Sequence, residues 1–252
     1  MTPQDVSKTL KVIGTVFRGI LAPGADRVLA DAQAQVQQYL AQSQKNQGKW
    51  RRSARIWGYQ IFAERPLQFA GAQVKKHQIE VDLHCKFAWS SDPVRGPLEQ
   101  LLVLRVWSPD TRLRFREEWD AQAIREAVEK RGRRVLARYH FDLANPEQPG
   151  PRYHLQIGGV ARDDEYCWHP KQINLPRIVH PPTDLAFGCE LVAANFFAAE
   201  YRSIRKDPEW KRLILDMQRL VLSEYFEHCR KVVNAAEPSQ SLLDELWHEQ
   251  WQ

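Results

Sequence analysis

The chain has 252 residues, of which 43% are hydrophobic and 27% are charged, a composition that excludes an intrinsically disordered chain. It contains 36 Lys and Arg residues against 31 Asp and Glu residues, which gives a net charge of +5. No apolar run reaches the ~18 residues that a membrane-spanning helix needs, so we expect no membrane partner.

Two amphipathic helices are predicted at the N-terminus. Apolar residues recur at spacings of three and four over 4–21, and they do so again over 28–40. The Pro23-Gly24 pair separates the two stretches, and Asp26 is a candidate N-cap for the second helix. We expect the two helices to form a hairpin, followed by a linker at 43–48.

The middle of the chain is predicted to form an antiparallel sheet. Residues 78–89 alternate strictly between apolar and polar side chains, which is typical of a strand with one buried face. The stretch 99–107 is apolar throughout, so we expect a strand covered on both faces. A helix at 120–131 is predicted to lead into a strand at 133–142, and a loop rich in Pro and Gly then leads to a strand at 152–157.

The last part of the chain is predicted to be helical. Residues 184–200 are apolar almost all round, which indicates a buried helix. Asp207-Pro208 marks the start of the next helix, because Pro is favoured in a first helical turn. A short amphipathic helix is expected after Pro238.

These elements predict an α+β fold in which a central antiparallel sheet carries an N-terminal helical hairpin and packed C-terminal helices. The expected segments are a hairpin at 1–48, a sheet core with one helix at 49–180, and C-terminal helices at 181–252. We expect the three segments to form one compact domain.

The four cysteines predict an intracellular protein. Cys85, Cys167, Cys189 and Cys229 are widely spaced and form no CxxC pair, whereas disulfide frameworks are typical of small secreted chains. We expect free thiols, with Cys85 and Cys189 packed as small hydrophobic residues. Since the N-terminus does not have the pattern of a secretory signal, we expect a cytoplasmic location.

One pair of predicted strands contains a candidate site. Under strand alternation, six polar side chains fall on two strand faces, namely Arg138, His140, Asp142, Arg152, His154 and Gln156. If the strands pair, His140, Asp142 and His154 lie on one patch, which suits a divalent metal or acid–base chemistry. Two other interpretations stay open: a phosphate-contacting patch, and histidines that only make hydrogen bonds within a polar sheet face. His169 and His180 could approach the same region.

Arginines form a second set of candidates. Residues 1–126 contain 19 basic and 13 acidic side chains, so the basic excess belongs to the first half. Arginine suits phosphate contacts, and nearby aromatic residues such as Trp50 and Trp57 could stack on bases. The candidate nucleic-acid contacts are Arg51, Arg52, Arg55, Arg112, Arg114, Arg116, Arg138 and Arg152. A solvated charged face is the alternative, and neither a phosphate-loop nor a dinucleotide-binding motif occurs.

The same region also resembles a known group of proteins. The runs His140-Phe141-Asp142, His154-Leu155-Gln156-x-Gly158-Gly159 and Leu175-Pro176-Arg177 form a pattern similar to that of a family of uncharacterised bacterial proteins. The resemblance covers about residues 133–197. Members of that family accompany mobile-element or phage-defence genes, so the resemblance implies a host-defence context, and it brings no catalytic residues.

Two functions follow as expectations. The first is a non-enzymatic accessory subunit of a bacterial anti-phage or plasmid-defence complex, which binds a larger protein subunit, DNA or RNA and needs no cofactor. The alternative is a metal-dependent nuclease or phosphoesterase that uses His140, Asp142 and His154 with a divalent metal.

Overall fold

The computed structural model describes residues 1–45, 56–74, 77–91, 97–108, 134–144, 151–158 and 177–234. Within these residues, helices precede and follow a seven-stranded antiparallel sheet, which confirms the predicted α+β class. No helix in these ranges is both long and apolar enough to cross a membrane. The predicted arginine strand at 112–116, the helix at 120–131 and the helix after Pro238 lie outside the described residues.

The N-terminal helices pack against each other as a hairpin, as predicted. Helix α1 spans Pro3–Val16 and helix α2 spans Ala25–Lys45. A capping box starts α1, in which the Thr2 hydroxyl accepts a hydrogen bond from the Asp5 N–H at 3.2 Å and the Asp5 carboxylate accepts one from the Thr2 N–H at 2.8 Å. Asp26 lies in the first turn of α2.

Helix α1 ends five residues earlier than the apolar spacing predicts. The chain turns at 17–20, where the Phe17 carbonyl accepts hydrogen bonds from Ile20 and Leu21. The following backbone then pairs with the sheet, because Ala22 donates to Gln68 and Ala70 donates to Ile20, each at 2.9 Å. These bonds replace the helical ones that a longer α1 would make.

The sheet is built mainly from three strands of 10 to 12 residues. The strands are β1 (Ile56–Ile61), β2 (Leu67–Phe69), β3 (Gln73–Val74), β4 (His77–Gln78), β5 (Glu80–Ser90), β6 (Pro97–Ser108), β7 (Arg134–Leu143), β8 (Tyr153–Ile157) and β9 (Ile178–Val179). Their order is β1-β5-β6-β7-β8-β9, with β2 also paired to β5, while β3 and β4 form a separate pair. Strands β5 to β8 match the four strands predicted for this region to within two residues at either end.

The edge strand β1 is partly protected by a side chain of α2. Gln60 donates its N–H to Gln35 Oε1 at 2.9 Å, and Gln35 Nε2 donates to the Gln60 carbonyl at 2.9 Å. The Gln35 amide therefore satisfies one outward-facing peptide of β1 as a neighbouring strand would.

The C-terminal helices cover the apolar face of the sheet. They are α3 (Leu185–Phe196), α4 (Ala198–Ile204), α5 (Pro208–Met217), a π-helical turn (Gln218–Leu222) and α6 (Ser223–Val233). Helix α3 lies very close to the sheet, since a Cβ added to Gly188 would come within 2.6 Å of Leu102 Cδ2. Cys85 and Cys189 are free, buried thiols within this core, as predicted.

The single helix predicted over 184–200 is interrupted at Phe197, which has φ −135° and ψ 53°. The break lets Phe197 enter the core, where its ring lies 6.2 Å from the Phe69 ring. Asp207 caps the next helix as predicted, because its carboxylate accepts a hydrogen bond from the Trp210 N–H at 2.9 Å. The Trp210 ring then packs edge-on against Phe17 of the N-terminal segment, with centroids 4.6 Å apart.

Candidate functional site

The sheet face opposite the described helices holds a set of polar side chains in three cross-strand rows. In the first row the strand register aligns Asp82, Arg105 and Arg138. The second row consists of His84, Val103, His140 and Gln156. The third row consists of Lys86, Leu101, Asp142 and His154. Strands β7 and β8 therefore pair so that His140, Asp142 and His154 share one face. We call these three residues the histidine cluster.

The register sets the spacing within the histidine cluster. Asp142 lies directly opposite His154, and such cross-strand neighbours have Cβ atoms about 4.5–5.5 Å apart. His140 is opposite Gln156 and is therefore diagonal to His154, at about 7–8 Å. The closest pair is thus a carboxylate and an imidazole.

His140 is held in its neutral form. Burial lowers its pKa from 6.5 to about 3, and the charges of Arg138 and His154 lower it further, while a hydrogen bond with the Gly158 backbone opposes them. Its Nε2 is buried and has no hydrogen-bond partner among the described residues. A ring with this pKa does not take up a proton near neutral pH, so it is a poor general base there.

Burial shifts the pKa values of Asp142 and His154 in opposite directions. Burial raises the pKa of Asp142 from 3.8 to about 6, although the nearby Arg177 opposes this shift. Burial and Arg177 both lower the pKa of His154, whose Nδ1 lies 3.1 Å from the Pro151 carbonyl. At neutral pH the pair therefore consists of a carboxylate and a neutral imidazole next to the Arg177 guanidinium.

A metal site would need more ligands than this pair. Within the described ranges, no three His, Cys, Asp or Glu side chains are grouped so that they could hold a metal ion. His180 does not join the cluster, because its ring packs edge-on against Phe141 at 5.0 Å on the apolar face. His169 lies outside the described residues.

The first row contains a buried ion pair. Arg105 Nε donates to Asp82 Oδ1 at 2.7 Å, and both side chains are at most 4% exposed. Asp82 Oδ2 also accepts from Trp107 Nε1 at 2.8 Å, while Arg105 Nη2 donates to the Ala63 carbonyl at 2.9 Å. The carboxylate and the guanidinium are thus satisfied by several charge-assisted bonds.

Only two of the arginines predicted to contact nucleic acid lie in the described structure. Arg138 is buried at 7% exposure, and Arg152 is half-buried with its guanidinium 5.7 Å from the Tyr153 ring. The other six are Arg51, Arg52, Arg55, Arg112, Arg114 and Arg116, and they lie outside the described residues. The role proposed for these arginines stays a prediction.

Sequence reasoning left Asp82, Arg105 and Arg177 out of the candidate site. A single arginine inside the apolar run 99–107 was an available signal for Arg105, but its pairing with Asp82 depends on a strand register that periodicity does not supply. Arg177 precedes β9, and a two-residue strand carries no periodic signal.

Comparisons of this chain with protein-family models, curated proteins and solved structures found no match.

We predict that replacing either partner of the buried ion pair is strongly destabilising. Asp82→Asn leaves Arg105 as an uncompensated buried charge, and Arg105→Met does the same to Asp82, so each should lower the free energy of unfolding by about 3–5 kcal/mol. The double variant should lose less than the sum, because no unmatched charge remains. Urea denaturation of the four proteins measures this coupling, and strictly additive losses would contradict it.

We also predict that Asp142→Asn steepens the loss of stability in acid. Folded Asp142 binds its proton below about pH 6 and the unfolded chain only near pH 4, so acidification across this window stabilises the fold through Asp142. His140 acts in the opposite direction, since its pKa of about 3 in the folded state lies below its ordinary 6.5.

Denaturation of the wild type, Asp142→Asn and His140→Gln between pH 4 and 7 checks both signs. The Asn variant should lose stability faster than the wild type as the pH falls, and the Gln variant should lose it more slowly. Parallel curves for all three proteins would show that neither group is linked to folding.

Proposed function

We propose that this protein is a non-enzymatic accessory subunit of a bacterial anti-phage or plasmid-defence complex, which binds a larger protein partner and nucleic acid. The defence context rests on the sequence pattern at 133–197. The binding role rests on which side chains are exposed to solvent and which are buried.

Exposed apolar side chains on the last helices carry the proposal. Large hydrophobic residues remain 44–68% exposed along α5, the π-helical turn and α6, namely Leu215, Leu220, Phe226 and Val233. Amphipathic helices that keep apolar side chains exposed are a common way to bind another chain. We call these four residues the apolar row.

The π-helical turn supports this interpretation. Trp210, Leu213 and Met217 of α5 are buried, whereas the π turn itself has no buried residue. A π turn shifts the helical phase, and such turns are frequent at functional sites. After it, Tyr225 of α6 is buried and packs on Tyr153 with ring centroids 6.1 Å apart, while the next residue, Phe226, is 53% exposed.

The chemistry of the histidine cluster favours a structural role for it. His154 is only 2% exposed, and the pKa of His140 lies far below neutrality. A catalytic acid or base works best when its pKa is near the working pH and its side chain reaches the substrate. The histidine cluster meets neither condition, and its buried side chains fit the polar face of a sheet better than a catalytic site.

The alternative function is a metal-dependent nuclease or phosphoesterase. The juxtaposition of Asp142 and His154 favours it, because a carboxylate next to a neutral imidazole is a common part of a divalent-metal site. Arg177 next to the pair could neutralise a phosphate. His140 is the third residue in this proposal, although the three side chains are not grouped closely enough within the described ranges to hold a metal ion.

A cleavage and binding assay separates the two functions. Labelled single- and double-stranded DNA and RNA are incubated with the protein, with and without Mg²⁺ or Mn²⁺, and the wild type is compared with His140→Ala plus His154→Ala. We expect salt-sensitive binding without cleavage. Metal-dependent cleavage that the double substitution abolishes would overturn the accessory role in favour of the nuclease.

A second prediction tests the apolar row. Tagged wild-type protein is purified from cells that express its native gene, and any co-purified chain is then produced separately for a binding titration. Leu220→Glu plus Phe226→Glu should weaken that binding by about 30-fold or more, because central apolar contacts dominate interfaces.

The matched control is Ile56→Glu plus Phe62→Glu, since both residues are more than half exposed and lie on and beside β1, away from the apolar row. The control should bind like the wild type. An equal loss in both variants, or none in the row variant, would reject the apolar row as the contact surface.

A further inference from the structure

A group of exposed cations surrounds the junction between α4 and α5. Arg205 and Lys206 form the turn that joins the two helices. Phe17 packs on Trp210 in the first turn of α5 with ring centroids 4.6 Å apart, and Arg18 is the next residue after Phe17 in the chain. The exposed cations of this region are Arg18, Arg202, Arg205, Lys206, Lys211 and Arg212, and we call them the basic corner.

No carboxylate within the described part of the chain forms an ion pair with a member of the basic corner, so their charges are not offset by a salt bridge. Some cations elsewhere are paired with carboxylates, as in Lys8–Asp216 at 3.2 Å, Lys86–Glu99 at 2.7 Å and Arg230–Glu227 at 2.7 Å. Others, such as Arg27 and Arg65, are exposed and make no ion pair with a described residue, but they do not belong to this group. Arg205 instead lies 5.7 Å over the Tyr201 ring.

Acidic side chains near the corner are fewer than the cations. The carboxylate of Asp207 is occupied as the cap of α5, where it accepts the Trp210 N–H at 2.9 Å. Glu200 and Glu209 are exposed on α4 and α5. Glu190 accepts a hydrogen bond from the Tyr201 hydroxyl at 2.9 Å. The six cations therefore outnumber these four carboxylates, which leaves a local positive potential.

We propose that the basic corner binds the phosphodiester backbone of a nucleic acid without sequence preference. This inference rests on the proposed function, and it names the surface that carries out its nucleic-acid binding. Arg and Lys side chains on exposed helices supply the phosphate contacts that dominate such binding. Arg205 lies 5.7 Å over the Tyr201 ring, so one face of this ring is already occupied by the guanidinium.

The test compares two variants that lose the same net charge. The corner variant carries Arg202→Gln, Lys206→Gln and Lys211→Gln, and the control carries Arg27→Gln, Arg65→Gln and Lys231→Gln. All six positions are exposed. The probes are short fluorescein-labelled DNA and RNA duplexes of mixed sequence, and anisotropy is measured over a range of salt concentrations. Thermal unfolding checks that both variants remain folded.

We expect the corner variant to bind about tenfold more weakly or worse, and the slope of log K against log salt to shrink by about 3, since each lost phosphate contact removes about 1. The control should keep the wild-type slope. If the wild type binds and both variants retain that binding or lose it equally, the basic corner is rejected as the contact surface. The proposal that the protein binds nucleic acid is then unaffected. If the wild type does not bind at all, the nucleic-acid part of the proposed function fails, and the inference fails with it.

Discussion

The buried ion pair between Asp82 and Arg105 sets a constraint on the whole sheet. Both charges lie in strands that are buried on two faces, so they are tolerated only where they meet each other. If β5 slipped by one residue along β6, Asp82 would point towards the apolar core under the helices. Arg105 would then have no carboxylate partner. The ion pair therefore selects the register from which the three polar rows follow, because β7 and β8 are aligned on β6.

The same face gathers ionisable groups whose pKa values move in opposite directions. Burial favours the neutral form of each group, so it raises the pKa of Asp142 and lowers the pKa values of His140 and His154. The acid-induced stabilisation from the carboxyl group therefore partly cancels the acid-induced destabilisation from the imidazoles. The free energy of unfolding therefore depends less on pH than it would if the buried face contained only carboxyl groups or only imidazoles.

Most of the fold could be predicted from periodicity, and the exceptions have local causes. The strict alternation at 78–89 identified β5 through its period of two, and the continuous apolar run at 99–107 identified β6 as a strand buried on both faces. The break at Phe197 could not be predicted, since the sequence on both sides is strongly apolar and only the site that its ring occupies in the core distinguishes it. Likewise α1 ends early because the backbone that follows it, at Ile20 and Ala22, bonds to Ala70 and Gln68, which are distant in sequence.

The candidate site was predictable as a shared face but not as a chemical environment. Alternation placed His140 and Asp142 together, and the observed register adds His154. Whether such residues can react depends on their burial and on neighbours from distant segments, such as Arg177, and neither is encoded in local spacing.

The distribution of charge in the sequence is similarly incomplete as a guide to binding. A count of charges assigns the basic excess to the first half of the chain, yet a cation contributes to long-range attraction only if no carboxylate neutralises it and it reaches solvent. In the described first half, Arg105 and Lys86 are paired with carboxylates. In the second half, Arg202, Lys206 and Lys211 are exposed and make no ion pair with any described residue. Exposed cations without an ion pair to a described residue therefore occur in both halves, since Arg18, Arg27 and Arg65 of the first half are exposed as well, and the net charge of a half does not locate them.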